Sequence, residues 1–460
     1  MRPCGRAALV VALAGAAILA IAAPASAHVV PSTEIVLDVH SSDITAALTM
    51  PVSDLVTASG IDVPTDGSAI TADAARQVSA YLEKHFVVES ASGDWSVTVG
   101  DIALTTTQQW GTGEFTALTA AATLVPPTTA ELRSFTLDYD AIIHQVITAD
   151  IYVVLGSDWA AGDFGSARAL GTITVNTVTG EIPTLQVDLD SGSAWRGFVG
   201  MVTLGISHIA EGTDHQLFLL TLLLPAPLIA VGRRWSAVAT TGRSVRRIAA
   251  ITIAFTLGHS TTLALGALGL PVPQQPIEAA IALSILIAAL HAIHPLFPGR
   301  EAFIAAGFGL VHGMAFSETL TEMRLSGSQL ALSLLGFNLG IEIMQLVVVA
   351  LVLPPLMVLA RTRLYRPLRL GAAGVTGIAA IGWVFTRVGV PNAVGTAADL
   401  IGTVSPFIAG ALWLAAVIVL IRERRLRHSP EVPAAEVPDA EMTDAEVPAA
   451  EAAATPGARP

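Results

Sequence analysis

The sequence predicts two folds in one chain: an exported, mostly β, sandwich-like domain, followed by an all-α polytopic membrane bundle of about seven helices. Three observations lead to this prediction. With 53% hydrophobic and only 13% charged residues, the composition is too apolar for a soluble protein of 460 residues. Alternating apolar and polar runs, typical of strands, continue as far as Trp195. Beyond that residue, long apolar segments follow that are able to cross a bilayer.

The N-terminus has the pattern of a secretory signal peptide. Two arginines precede an apolar run from Ala7 to Ala23. After this run, Ala25-Ser26-Ala27 supplies the small residues of a cleavage site. We expect residues 1–27 to be removed, so that the mature chain begins at His28. The single cysteine, Cys4, lies within this segment, so the mature protein has no thiol for a disulfide or a metal site.

Residues 28–195 are predicted to form the extracytoplasmic β domain. Runs such as EIVLDVH and FTALTAAATLV alternate in polarity and are separated by Gly, Pro, Asp and Ser. One helix interrupts them, capped by Thr71, with apolar residues at helical spacing: Ala75, Val78, Leu82 and Phe86. The domain contains 21 acidic and 4 basic residues, which argues against nucleic acid as a partner.

Residues 196–428 are predicted to form the membrane domain. The apolar segments lie at 197–224, 248–269, 277–296, 301–318, 329–353, 368–389 and 402–421. If the β domain is exported, the regions that follow the odd-numbered segments are cytoplasmic, and they contain fourteen arginines against three near the outer ends. This bias predicts a plasma-membrane protein with its N-terminal domain outside. The acidic Pro/Ala/Glu tail, residues 429–460, is predicted to be disordered and cytoplasmic.

Ionisable side chains lie inside these apolar segments, where a charge costs roughly 2.5–3.5 kcal/mol at the bilayer centre. In HIAEGTDHQ, a continuous helix places His208, Glu211 and His215 on one face and turns Asp214 about 120° away. The later segments add further polar candidates: His259, His291, His294, His312, Asn338 and Glu342. Helical rise places most of them near the midplane, with His294 close to the cytoplasmic surface.

Imidazole and carboxylate groups are suitable ligands for Ni²⁺, Co²⁺, Zn²⁺, Fe²⁺ and Cu²⁺. The sequence therefore predicts an intramembrane site for a divalent transition metal, with these ten residues as candidates and five principal ligands: His208, His215, His259, His312 and Glu342. His28 and His40 are weaker candidates on the β domain. If cleavage falls before His28, its free amine and imidazole form a chelate that His40, His85 or His144 can join. The simpler interpretation of any single histidine is a neutral ring bonded to a carbonyl of a neighbouring helix.

Two motifs stand out among these polar residues: the segment from His208 reads H-x-x-x-G-x-D-H, and VHGMAFS reads H-G-x-A. Together they resemble motifs of the HupE/UreJ membrane proteins, a family of nickel or cobalt permeases associated with hydrogenase and urease systems. The layout looks most like the branch in which an exported β-rich domain precedes the membrane part. The resemblance covers about residues 28–390, and it implies His208, Asp214, His215 and His312 as metal-pathway residues.

The sequence departs from the family at one position. The permease pattern continues H-G-x-A-H-G, whereas Phe316 and Ser317 follow Ala315 here. The second histidine is missing, and His259, His291 or His294 is expected to compensate.

Two other functions are compatible with these residues. One is a seven-span zinc hydrolase, in which three histidines hold Zn²⁺ and Ser260 or another hydroxyl stabilises an oxyanion. The other is a membrane protein whose outer domain senses or loads metal. Nothing in the sequence resembles a P-loop, so no nucleotide is implied. The bilayer and a metal ion are the predicted partners, and a transporter is favoured over an enzyme.

Overall fold

The computed structural model describes residues 31–427 except 110, 111, 166, 271 and 272. The predicted signal peptide, His28 and the predicted tail lie outside the described residues.

The N-terminal domain contains two β-sheets around one apolar core. Its strands are β1 (Thr33–Val39), β2 (Ile44–Pro51), β3 (Phe86–Ser90), β4 (Gly93–Asp94), β5 (Ser96–Gln108), β6 (Glu114–Val125), β7 (Ser134–Tyr139), β8 (Ile151–Asp158), β9 (Arg168–Ile173) and β10 (Leu185–Asp188). One sheet has the order β5-β6-β2-β1-β8-β9 and the other β10-β7-β3-β4. Alternate residues along β1, including Ile35 and Leu37, are buried in the core, as the period of a strand requires. The prediction of a mostly β domain is confirmed.

Two helices belong to this domain, α1 (Val52–Ser59) and α2 (Ala72–His85). The predicted cap of α2 is confirmed, because Thr71 Oγ1 accepts a hydrogen bond from the Ala74 N–H at 3.2 Å. The helix buries Ala74 and not the predicted Ala75. Phe86 was assigned to the helix, but its backbone is extended and it opens β3.

The remainder of the described chain is mainly helical. Its elements are α3 (Ala194–Glu211), α4 (Thr213–Leu223), β11 (Leu228–Val231), β12 (Arg234–Val238), α5 (Thr241–Ala267), α6 (Gln274–Ile293), α7 (Glu301–Ala315), α8 (Ser317–Glu322), α9 (Gly327–Leu359), α10 (Tyr365–Arg387), α11 (Ala393–Asp399) and α12 (Ile401–Arg427). Each predicted apolar segment contains a helix. Among the described residues, five helices are long and apolar enough to cross a membrane, and α7 is a shorter apolar helix.

Large apolar side chains cover the outside of this helical region. Leu257, Phe303 and Leu335 are each more than 60% exposed, and Ile378 and Leu414 are similar. Such a surface is compatible with lipid tails and not with water. Together with the apolar helices, it identifies a multi-pass membrane protein.

The prediction of one continuous helix over 197–224 is wrong. The chain leaves helical geometry at Gly212, whose ψ is 99°, so that α3 ends and α4 begins at this residue. A Cβ on Gly212 would lie 2.5 Å from the carbonyl oxygen of His208, which explains why glycine occupies the break. Broken helices are tolerated at membrane depth where the surrounding protein satisfies their backbone groups, and the Gln216 side chain donates to the carbonyl of Ala210 here.

Glycines bring α5 and α7 into backbone contact. A Cβ on Gly309 would lie 2.1 Å from the Phe255 carbonyl oxygen, and a Cβ on Gly313 would lie 2.1 Å from the His259 carbonyl oxygen. The pair α3 and α9 repeats this pattern, since a Cβ on Gly205 would lie 2.2 Å from the Phe337 carbonyl oxygen. Small residues permit this approach because they place little or no side chain between the two backbones. Lipid-embedded helices gain van der Waals contact from such close packing.

The β domain contacts the helical region directly. Trp159 Nε1 donates to Ser333 Oγ at 2.7 Å, in a contact buried between β8 and α9. His40 lies at the same junction, with Nδ1 2.9 Å from the Met323 carbonyl oxygen and Nε2 2.9 Å from Thr45 Oγ1. The β domain therefore contacts the side of the helical layer at which α9 begins.

Candidate metal centre

Four histidines from four helices meet inside the helical region. They are His208 on α3, His215 on α4, His259 on α5 and His312 on α7. The ring of His215 lies 4.6 Å from that of His208 and 5.0 Å from that of His312, between centroids. The ring of His259 lies 6.3 Å from that of His208. Three of the four are buried, and His208 is partly buried.

Local chain geometry explains this convergence. The break at Gly212 turns α4 relative to α3, so that Asp214 meets His215 instead of pointing away as the continuous helix predicted. The contact of Gly313 with the His259 carbonyl holds α7 against α5, next to His312. Close helix packing therefore determines the spacing of the imidazoles.

Two of the rings have a tautomer that follows from their hydrogen bonds. Asp214 Oδ1 lies 2.9 Å from His215 Nδ1, so this nitrogen carries the proton and donates it to the carboxylate. Ser284 Oγ donates its proton to the Ile281 carbonyl at 2.7 Å, so it accepts from His312 Nε2 at 3.0 Å. His215 Nε2 and His312 Nδ1 are then both unprotonated.

These two bare nitrogens face each other at 3.4 Å. Two lone pairs have no proton to share, so this contact is not a stable hydrogen bond between neutral rings. Nitrogens bound at 2.0–2.1 Å to a tetrahedral ion lie about 3.4 Å apart. The pair is therefore already spaced for a cation, with Asp214 in the position from which carboxylates orient metal-ligating histidines.

Other ring nitrogens of the cluster have no partner. Among the described residues, His208 Nε2 and both nitrogens of His259 are buried without a hydrogen bond. An unsatisfied buried polar atom costs about 1–3 kcal/mol, so three of them in one place indicate a site built for a ligand.

The cluster contains two overlapping groups of metal-ligating type. His208, His215 and His259 each offer a nitrogen within 4.8 Å of the other two. Asp214, His215 and His312 form a second group under the same limit. His215 belongs to both groups.

Phenylalanines surround the cluster. Phe316 and Phe337 stack at 4.2 Å between centroids, and their rings lie 4.9 and 5.3 Å from that of His208. Phe218 and Phe255 pack against His312 on the other side. These apolar walls lower the local dielectric and strengthen any charge interaction inside. Phe316 occupies the position at which the resembled pattern has its second histidine.

A polar cavity of about 250 Å³ reaches the cluster from one side. Its lining includes Asp214 and Thr213 together with Glu278, Arg387 and Asp399. Arg387 forms a 3.2 Å ion pair with Glu278, which joins the end of α10 to the start of α6. Successive long helices alternate in direction, so both ends lie on the side of the helical layer that bears the β domain.

Several predicted residues lie outside the cluster. Glu211 is exposed at the end of α3, where it lines a different cavity, and His294 is exposed at the end of α6. His291 is buried near the opposite side, stacked on Phe297 at 4.0 Å, with Nδ1 accepting the Leu296 N–H.

Asn338 and Glu342 also lie outside the two groups and connect α9 to α5. Asn338 Oδ1 accepts from Ser260 Oγ at 2.6 Å, and Glu342 Oε2 accepts from Thr256 Oγ1 at 2.9 Å. Both residues therefore hold the helix that carries His259. His40 has both ring nitrogens bonded at the domain junction, and His28 lies outside the described residues.

Sequence reasoning missed Ser284 and the lining of the polar cavity. Ser284 was a lone hydroxyl in the apolar run IALSILIAAL, and an isolated buried polar residue in such a run is a usable signal. The cavity residues come from helix ends that are distant in sequence, and no local pattern connects them.

Comparison with known proteins agrees with the motifs noted above. Residues 185–387 match the sequence model of a family described as HupE / UreJ protein. No curated protein and no solved structure matches the chain. The match begins in β10, spans α3 to α10 and includes all four clustered histidines. Over residues 185–387, this multi-pass membrane protein is therefore similar to the HupE/UreJ family.

Proposed function

We propose that this protein is a permease for a divalent transition-metal ion of the nickel and cobalt type. The observation that carries the proposal is the 3.4 Å contact between the unprotonated nitrogens of His215 and His312. The metal is the transported substrate here and not a resident cofactor. Imidazole and carboxylate ligands are suitable for such ions.

The proposed path has two tiers that share one ligand. An ion arrives through the cavity beside Asp399 and Glu278, reaches Asp214 and binds between His215 and His312. Rotation of the His215 ring then transfers the ion to His208 and His259, which have buried ring nitrogens without a hydrogen-bond partner. Conduction needs several sites of moderate strength, since a single strong site would retain the ion.

The proposed orientation places the β domain outside the cell and the arginine-rich loops inside. The access cavity then opens on the outer side, and transport is uptake, as the family resemblance implies. We also propose the domain limits of the sequence prediction: a cleaved signal at 1–27, an outer domain at 28–195 and a membrane domain at 196–428. The driving force is the ion gradient or a coupled proton.

We propose that His259 takes the role of the histidine missing at position 316. The ring of Phe316 is 4.9 Å from His208, so this position adjoins the cluster but offers no nitrogen. His259 approaches His208 from α5 and has two free nitrogens. His291 and His294 lie too far along α6 to contribute a ligand to this cluster.

The geometry gives less support to a zinc hydrolase. Such an enzyme needs, besides an acid, a hydroxyl beside the metal that stabilises an oxyanion. Ser260 Oγ instead lies 2.7 Å from the Thr256 carbonyl and 2.6 Å from Asn338 Oδ1. Its hydroxyl therefore links α5 to α9.

Substitution of Asp214 tests the permease in reconstituted vesicles. In Asp214→Asn the carboxylate no longer fixes the His215 tautomer, so half-saturation of radioactive nickel or cobalt uptake should rise about 10–100-fold. Glu322→Gln is the matched control, because Glu322 is an exposed acid on α8. Equal uptake by both variants and by protein-free vesicles would contradict transport. Stoichiometric zinc that resists chelation would favour the hydrolase.

A further inference from the structure

A second cluster of metal-ligating type lies in the β domain, away from the membrane centre. It consists of His85 at the end of α2, Asp140 directly after β7, and His144 in the turn that follows. One ligand atom from each residue lies within 4.8 Å of the other two. All three side chains are partly exposed, so an ion can reach them from solvent.

Asp140 fixes the tautomers of both histidines. Its carboxylate oxygen Oδ1 lies 2.7 Å from His85 Nδ1, and its backbone carbonyl oxygen lies 2.9 Å from His144 Nδ1. Both oxygens accept, so each Nδ1 carries a proton and each Nε2 keeps a lone pair. Carboxylates and carbonyls orient metal-ligating histidines in this way. The two rings lie nearly parallel, with centroids 4.6 Å apart.

The turn that carries this cluster is strained. Ile142 has a φ of +70°, a left-handed conformation that a β-branched residue rarely adopts, and its side chain is fully buried. The Ile142 N–H donates to the Tyr81 hydroxyl at 3.0 Å, which helps to hold the turn. Strain of this kind is retained at sites where it positions a functional group.

The surroundings favour a cation over an anion. The domain has 21 acidic residues and 4 basic ones. A surface with this balance attracts cations and raises their local concentration. Two imidazoles oriented by a carboxylate are suitable ligands for nickel, copper or zinc.

We propose that His85, Asp140 and His144 form a separate binding site for a divalent transition metal on the β domain. His85 and His144 bind through Nε2, and Asp140 orients both rings. The lone pairs of parallel rings do not converge, and nitrogen ligands of one ion lie about 3.4 Å apart, so the Nε2 ends of the two rings rotate toward the shared ion on binding. The site captures ions at the domain surface and does not depend on transport by the helical region.

Copper titration of the full-length protein in detergent tests this site. Electron paramagnetic resonance should show one Cu²⁺ component with nitrogen couplings from two imidazoles that His144→Ala loses, whereas copper bound at the membrane centre gives the same component in both proteins. The affinity of this site for Cu²⁺ should fall about 10–100-fold in Asp140→Asn. His85→Gln gives an independent loss of one ligand, and Asp138→Asn, an acid on the neighbouring strand β7, is the matched control.

The result that overturns the proposal is an unchanged Cu²⁺ signal in both His144→Ala and His85→Gln, or an equal loss in Asp138→Asn. Circular dichroism of each variant separates loss of a ligand from loss of the fold. Metal flux in vesicles is a different readout, so failure of this site and failure of the permease are distinguishable. Flux should persist in His144→Ala at saturating metal.

Discussion

His215→Ala is expected to reduce metal flux to the level of protein-free vesicles. His215 is the residue shared by the two intramembrane ligand groups, and its Nε2 faces His312 Nδ1 at 3.4 Å. The substitution removes one ligand from each group. It also removes the imidazole hydrogen bond to Asp214 Oδ1, which keeps the bond from the backbone N–H of residue 215. Uptake of radioactive nickel or cobalt in reconstituted vesicles measures the effect.

His294→Ala is the control for this experiment. It removes an imidazole from the same membrane domain, but the structure places His294 in an exposed position at the end of α6. Its flux should equal that of the wild type. Substantial flux through His215→Ala would show that ions follow a path outside the histidine cluster.

Gly309→Leu is expected to prevent correct packing of the membrane domain. Even a Cβ at this position would lie 2.1 Å from the Phe255 carbonyl and 3.0 Å from the His259 N. Overpacking of a core costs about 1–3 kcal/mol, and a clash with backbone atoms cannot be relieved by rotating a side chain. We expect a lower melting temperature in detergent, or protein that elutes as aggregate in size-exclusion chromatography.

Gly307→Ala provides the matched control on the same helix. A Cβ on Gly307 would meet no heavy atom within 4 Å, so the substitution replaces glycine without a clash. Its melting temperature should equal or exceed that of the wild type, because alanine favours the helix. A folded, monodisperse Gly309→Leu would contradict the packing of α5 against α7.

The two fold classes were predictable because they depend on local patterns. The alternation of apolar and polar residues along EIVLDVH predicted β1, and Thr71 predicted the start of α2. The break at Gly212 was not predicted, because the apolar period continues through it and one glycine inside a helical pattern is usually tolerated. That break decides the position of Asp214 relative to His215, and so it decides much of the site.

The candidate residues were easier to find than their grouping. Charged and imidazole groups in apolar segments stand out in the sequence, and His208, His215, His259 and His312 do converge. No local pattern indicated that Glu342 accepts a hydrogen bond from Thr256 or that His291 stacks on Phe297. Those outcomes depend on how helices are rotated against each other, which the glycine contacts determine.

The central claim is that imidazoles from different helices share one cation inside the membrane domain. Anomalous X-ray diffraction from crystals of the full chain grown with nickel or cobalt, collected at the metal absorption edge, tests it most directly. We predict a peak within about 2.1 Å of His215 Nε2, bounded by His312 or by His208 and His259. Metal peaks found only on the β domain or at the protein surface, with none beside His215, would contradict it.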